Sequence, residues 1–223
     1  TETTGLEPSQ GHRIIEIGCV ELVDRKLTGK HHHQYIQPER EIDQGALEVH
    51  GISNEFLADK PVFSHIVDEF LAFVDGAELI IHNAPFDIGF LNAEISRLPE
   101  SGSSRFSRIE DFCEVTDSLV LARRKHPGQK NSLDALCRRY MVDNSQRDLH
   151  GALLDAEILA DVFLLMTGGQ AQMFGAASGQ ETHKTTESLA SIAPINTEQL
   201  QVVRARPEEV AAHQEMLDLL DRH

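Results

Sequence analysis

The chain has 223 residues, 40% hydrophobic and 25% charged, with a formal net charge of −16. That length supports one good-sized core, or a core and a tail, at a composition ordinary for a globular protein. The charge argues against a protein that coats nucleic acid along its length, though not against one that handles a single strand end. No apolar run is long enough to span a bilayer, and no signal-peptide pattern is visible in a chain that begins without methionine. Cys19, Cys113 and Cys137 are odd in number and far apart, and read as reduced thiols of a cytosolic protein.

Arg13 to Val23, rich in Ile and Val, is expected as a strand. Lys26 to Ile36 is its expected hairpin partner, entered through Thr28-Gly29. Apolar residues recur at three- and four-residue steps up to Val74, which starts a helix near Ser64. Glu78 to Ile81 is a short buried strand. Asn83 is the expected N-cap of a helix over Phe86 to Leu98, with Pro85 tolerated in its first turn.

Pro99 to Ser107 is a polar loop, and Phe112 to Val115 a strand. Helices are expected over Asp117 to His126, Ser132 to Tyr140 (capped by Asn131 or Ser132) and Gly151 to Met166, the last stopped by Gly168-Gly169. Gln170 to Pro194 is rich in Gln, Ala, Gly, Ser and Thr and reads as a flexible linker. Glu208 to Leu220 regains an amphipathic helical pattern. The organisation is one α/β domain over residues 1–168, a linker over 169–200 and a C-terminal segment over 201–223.

Three separated segments carry acids: Thr1-Glu2-Thr3-Thr4-Gly5, His82-Asn83-Ala84-Pro85-Phe86-Asp87, and His150-Gly151-Ala152-Leu153-Leu154-Asp155. Taken singly, Asp87 and Asp155 are acids near helix starts, where the backbone favours negative charge without any metal. His150 alone could be a turn residue. Together Glu2, Asp87 and Asp155 could hold hard cations, and His150 could take a proton from an attacking water near neutral pH. Hydrolysis of a phosphodiester suits such a set, because two cations about 3.5–4 Å apart stabilise both the attacking and the leaving oxygen.

These segments, in this order over residues 1 to about 168, resemble the three motifs of the DEDD exonuclease superfamily, histidine subtype. Ile14-Ile15-Glu16-Ile17-Gly18, Val49-His50-Gly51-Ile52, Thr116-Asp117-Ser118-Leu119 and Asn131-Ser132-Leu133-Asp134-Ala135-Leu136-Cys137 are similar, more narrowly, to the epsilon (proofreading) subunits of bacterial DNA polymerase III. Gln170-Ala171-Gln172-Met173-Phe174 is similar to the short peptide with which such subunits dock on the sliding clamp; its other reading is low-complexity linker. Residues 202–220 resemble the part that binds the polymerase subunit.

The resemblance implies a ribonuclease H-like mixed sheet flanked by helices, with its first strand largely missing, and a flexible tail. It implies two Mg²⁺ or Mn²⁺ ions and release of deoxynucleoside monophosphates from a single-stranded DNA 3′ end. Glu2, Asp87 and Asp155 would be the metal residues and His150 the general base. Glu2, Thr3, Leu6, His50, Asn83 and Asp155 would meet the substrate, and Gln170, Met173 and Phe174 the clamp. The partners implied are the polymerase alpha subunit, the sliding clamp and a theta subunit, in a bacterial, cytoplasmic, replisome-associated protein with no membrane contact.

The family's first motif is Asp-x-Glu, and here Thr1 is the x. The expectation is therefore that the chain as written binds a second metal poorly and is impaired, and that an added strand ending in Asp restores activity. Two alternatives stay open. One is an RNA-trimming enzyme like ribonuclease T or oligoribonuclease; the other is a non-catalytic bridge between polymerase and clamp. Arg123-Arg124-Lys125 is a helix C-terminal cluster that could also touch phosphate. His31-His32-His33 should alternate faces of a strand rather than form a metal site.

Overall fold

The computed structural model describes residues 1–98, 108–145 and 149–168. The expected polar loop, the linker with Gln170, Met173 and Phe174, and the C-terminal segment lie outside the described residues.

A three-stranded antiparallel sheet runs in the order β1 (Glu2–Thr3), β2 (Ile14–Val23), β3 (Lys26–Tyr35). β2 and β3 form the expected hairpin, but the turn is not at Thr28-Gly29. Val23 pairs with Lys26, so Asp24 and Arg25 make a two-residue turn with φ of 50° and 63°. Positive φ at both central residues matches the right-handed strand twist and favours Gly or Asn. Here Arg25 is held in it by hydrogen bonds to the Leu164 carbonyl (2.8 Å) and Thr167 Oγ1 (3.0 Å).

Two short helices follow that periodicity did not reveal, α1 (Gln44–His50) and α2 (Asn54–Leu57). α1 stops at Gly51, which takes the left-handed conformation at φ 70°. α3 (Phe63–Val74) buries Phe63, Ile66, Val67, Phe70, Leu71 and Val74, one stripe at helical spacing.

A parallel strand pair comes next, β4 (Glu78–Ile81) with β5 (Glu114–Asp117). The second strand lies two residues beyond its expected position. Between them α4 (Ala84–Ser96) starts earlier than expected. Asn83 occupies its N-cap position, yet at φ 73° and with no side-chain cap bond, so the expected capping role is wrong. α5 (Ser118–Lys125) is capped by Asp117, which accepts from Leu119 and Val120 N–H. α6 (Leu133–Tyr140) is capped by Ser132. α7 (Ala152–Gly168) completes the described domain.

The hairpin separates two packing faces. Cys19 and His32 pair across the strands, and the His32 ring lies 5.6 Å and 5.8 Å from Phe70 and Phe73 of α3. Residues alternate faces along a strand, so Glu16, Gly18, His33 and Tyr35 look the other way, toward α7. Ile14, Ile17, Phe70 and Phe90 belong to the core under α3 and α4. Leu136, Cys137, Ile158 and Val162 form a second cluster between α6 and α7. α4 is tied to the start of β2 by a bidentate pair, buried Glu94 with half-buried Arg13, Nε at 2.7 Å and Nη2 at 2.8 Å.

Candidate active site

Glu2 enters the site from β1, opposite Glu16 of β2 in the strand register. Asp155 lies in the first turn of α7, and His150 in the segment that leads into that helix. Among the described residues, one ligand atom from each of Glu2, His150 and Asp155 lies within 4.8 Å of the others. His150 Nδ1 stands 3.3 Å from Asp155 Oδ2. Two chain segments far apart in sequence therefore converge, Glu2 from one and His150 with Asp155 from the other.

Gly18 makes this convergence possible. A Cβ there would be driven into the backbone of Ala152 and Leu153, so α7 lies directly on β2. No residue but glycine permits so close an approach.

Asp87, in the first turn of α4, falls outside the 4.8 Å group. Its Oδ1 accepts hydrogen bonds from the Thr1 ammonium (2.9 Å) and the Thr1 hydroxyl (2.8 Å). Burial alone would lower the Thr1 ammonium, but the charge and hydrogen bond of Asp87, with the charges of Glu2 and Cys19, together outweigh it and hold the group at about 10. Glu2 moves the opposite way from most carboxylates. Burial raises it, the Thr1 ammonium pulls it down, and Asp155, Glu16 and Asp87 push it up again, to a net of about 7. Crowded acids that hold a proton near neutrality are a set that a hard divalent cation would relieve. Oxygen donors fit such a cation, and Glu2 and Asp155 are the residues that could hold it, with the His150 imidazole beside them.

The expected substrate residues are distributed around this group. Thr3 is buried and its hydroxyl donates to the Gly5 carbonyl (2.7 Å). Leu6 is 79% exposed. His50, 5% exposed at the end of α1, accepts the Ile52 N–H at Nδ1, while its Nε2 has no hydrogen-bond partner. Burial lowers its basicity, against an opposing contact with the Thr3 backbone. The His150 N–H donates to the Val49 carbonyl, which ties the base to the His50 segment. Asn83 lines an open cleft of about 560 Å³ that also includes His150, Arg123, Asn131 and Asp134. The sequence reading missed Glu16, which accepts from Ala152 N–H (3.0 Å) and lies 2.7 Å from His33 Nε2. Its signal was there: an acid in the middle of an Ile-rich run.

This fold and its carboxylate-rich centre define a nuclease-type domain, and residues 1–163 match the family model described as Exonuclease. Among solved structures, the chain is similar to Exonuclease X in complex with 5′-overhanging duplex DNA, at 26% identity and a TM-score of 0.57, covering 77% of this chain and 90% of that one. The nuclease domain of 3′hExo, a DEDDh family member bound to rAMP, shares the fold at a TM-score of 0.53 and 18% identity, covering 71% of this chain and 82% of that one. DNA polymerase III subunit epsilon of Salmonella typhimurium is 51% identical over 100% of this chain and 91% of its own length. The Escherichia coli epsilon subunit is 50% identical over the same shares, and that of Rickettsia prowazekii 47% identical over 98% and 93%. The chain belongs to the DNA polymerase III epsilon family, within the exonucleases of ribonuclease H-like fold.

Proposed function

We propose that this protein is a 3′→5′ exonuclease that proofreads for a replicative DNA polymerase, hydrolysing the terminal phosphodiester of a frayed strand. The observation that carries the reading is the meeting of Glu2, Asp155 and His150 within 4.8 Å, in a chain about half identical to epsilon subunits along its whole length.

Glu2 and Asp155 supply carboxylate oxygens, and Asp87 supports them from α4. Bound divalent cations, read as two Mg²⁺ or Mn²⁺, would lower the pKa of water and stabilise charge on the phosphate. The imidazole of His150 takes the proton of the attacking water. Asp155, 3.3 Å from Nδ1, orients the ring and stabilises the imidazolium. The water oxygen bonds to phosphorus, and the P–O bond to the 3′ oxygen of the shortened strand breaks. A mononucleotide is released. Buried His50 and Thr3, exposed Leu6 and the Asn83 cleft flank the centre, where a terminal nucleotide would lie.

The full-length match to epsilon subunits includes residues beyond 168, and so favours this reading over an RNA-trimming enzyme built from the catalytic domain alone. On it, residues 1–168 are the exonuclease domain, Gln170, Met173 and Phe174 dock on a sliding clamp, and residues 201–223 bind the alpha subunit. A theta subunit and replisome association in the bacterial cytoplasm belong to the same proposal. Among the described residues no helix is long and apolar enough to cross a membrane.

The test is Mg²⁺-dependent digestion of a 3′-mismatched primer, run on this polypeptide and on one carrying an aspartate ahead of Thr1. Release of monophosphates that Glu2→Gln and Asp155→Asn each abolish is the expected result. Digestion that survives both changes, or needs no cation, would refute the mechanism. A pull-down with clamp, in which Met173→Ala with Phe174→Ala loses binding, tests the tail separately.

A further inference from the structure

Glu16 is 2% exposed in the middle of an apolar strand, and both of its oxygens are engaged. Oε1 lies 2.7 Å from His33 Nε2, and Oε2 accepts the Ala152 N–H at 3.0 Å. Ala152 is the first residue of α7. Its N–H is one of those a helix cannot satisfy internally, and the usual donor-satisfying cap is a residue just before the helix. Here the cap comes from β2, 136 positions away in sequence. A carboxylate at that point also meets the positive end of the helix.

The placement matters for the site. Glu16 faces Glu2 across the strand pair, and α7 rests on Gly18, two residues further along β2. The hydrogen bond to Ala152 fixes the first turn of α7 against the sheet. That turn carries Asp155, whose own N–H bonds to the Gly151 carbonyl (2.9 Å). His33, on the same face of β3, holds one carboxylate oxygen so that the other points at the helix.

We infer that Glu16 and His33 are positioning residues that set the seat of α7, and through it the distance of Asp155 and His150 from Glu2. Neither belongs to the group of candidate ligands. The part of this inference that concerns turnover rests on the nuclease reading; the part that concerns cation binding does not.

The experiment compares Glu16→Ala, Glu16→Gln, His33→Ala and His33→Gln with the parent chain. Mn²⁺ affinity is read by electron paramagnetic resonance, and kcat and KM on a single-stranded oligonucleotide are measured well below each melting midpoint. Loss of a partner that orients a ligand lowers metal affinity or activity by about 10–100-fold. Both Ala variants should show that loss of Mn²⁺ affinity, with kcat reduced and KM little changed. Both Gln variants should recover most of it, since a side-chain amide at 16 can still accept from Ala152 and one at 33 can still donate to Glu16. If Glu16→Ala does not fold, the two His33 variants and Glu16→Gln carry the test, as His33 is at the domain surface. Parent-like Mn²⁺ affinity in His33→Ala would overturn the inference. So would Glu16→Gln as weak as Glu16→Ala, because charge and not the hydrogen bond would then be the cause. A version with aspartate ahead of Thr1 that binds Mn²⁺ but cleaves nothing would count against the nuclease reading and leave the Mn²⁺ comparison to decide the brace.

Discussion

Gly18→Ala is the sharpest test of the idea that one close backbone approach builds the site. The added Cβ would stand 2.5 Å from Leu153 Cα and closer still to other backbone atoms of Ala152 and Leu153. Carbon atoms pack at about 3.5–4 Å, so α7 must lift by about 1 Å. Backbone cannot swing aside as a flexible side chain would. Overpacking of this kind costs about 1–3 kcal/mol, a loss of several degrees in melting midpoint for a chain of this size. The larger effect should be functional. A displacement of about 1 Å at reacting groups costs about 100-fold in rate, and α7 carries Asp155 into the site. The assay is kcat on a 3′-mismatched primer beside the midpoint in EDTA. Gly45→Ala is the control, since a Cβ there meets nothing within 4 Å. Gly18→Ala with the parent's kcat and midpoint would show that the helix is not seated as described.

Four further outcomes follow from the charges. Glu2 is raised from 4.5 to about 7 in the folded chain, so in EDTA its contribution to stability is full below about pH 4.5 and is lost as pH rises through 7. The size is on the order of 3 kcal/mol, and Glu2→Gln should flatten the midpoint-against-pH curve over that window. The same proton competes with a cation, so Mn²⁺ affinity should climb as pH passes 7 in the parent and not in Glu2→Gln. Glu94→Ala removes two charge-assisted hydrogen bonds to half-buried Arg13 and should destabilise by about 1.5–3 kcal/mol, measured by urea denaturation; an unchanged stability would contradict the tie between α4 and Arg13. Saturating Mn²⁺ should raise the parent's melting midpoint, and Asp155→Asn should remove most of that rise.

Much of the arrangement could be read from residue order, for identifiable reasons. α3 was legible because its six buried apolar residues repeat at helical spacing over a single face. α6 announced its start through Ser132, one of its two expected caps, and α5 starts one residue later than expected because Asp117 caps it instead of opening it. Asn83 carried the same local signal and misled. It takes a left-handed backbone instead of capping, and its N–H points to Asp117 Oδ1 at 3.4 Å. The hairpin turn was misplaced because Thr28-Gly29 looks like a turn, whereas Asp24-Arg25 is held in one by α7, a tertiary contact no local pattern encodes. α1 is too short to show a period, although it delivers His50. The convergence of Glu2, Asp155 and His150 was accessible only through the joint motif pattern. Periodicity says nothing about which strand end meets which helix start.

The same logic explains where the site stores its electrostatic tension. Asp87 and Asp155 both sit in first turns, of α4 and α7, where the unpaired N–H groups and the helix dipole favour a negative charge. Glu16 takes the very first N–H of α7 for itself. Glu2 has no helix start of its own. It extends from a two-residue strand, opposite Glu16 and near Asp155, and it is the acid that burial and like charges push up to about 7. A fold that gathers carboxylates at helix N-termini can thus hold them together without a cation, except at the one contributed by a strand. That position is where an arriving dication gains most by displacing a proton. Cation binding should therefore release a proton that Glu2→Gln abolishes, measurable as a buffer-dependent enthalpy near pH 7. Equal proton release from parent and variant would place the coupling elsewhere.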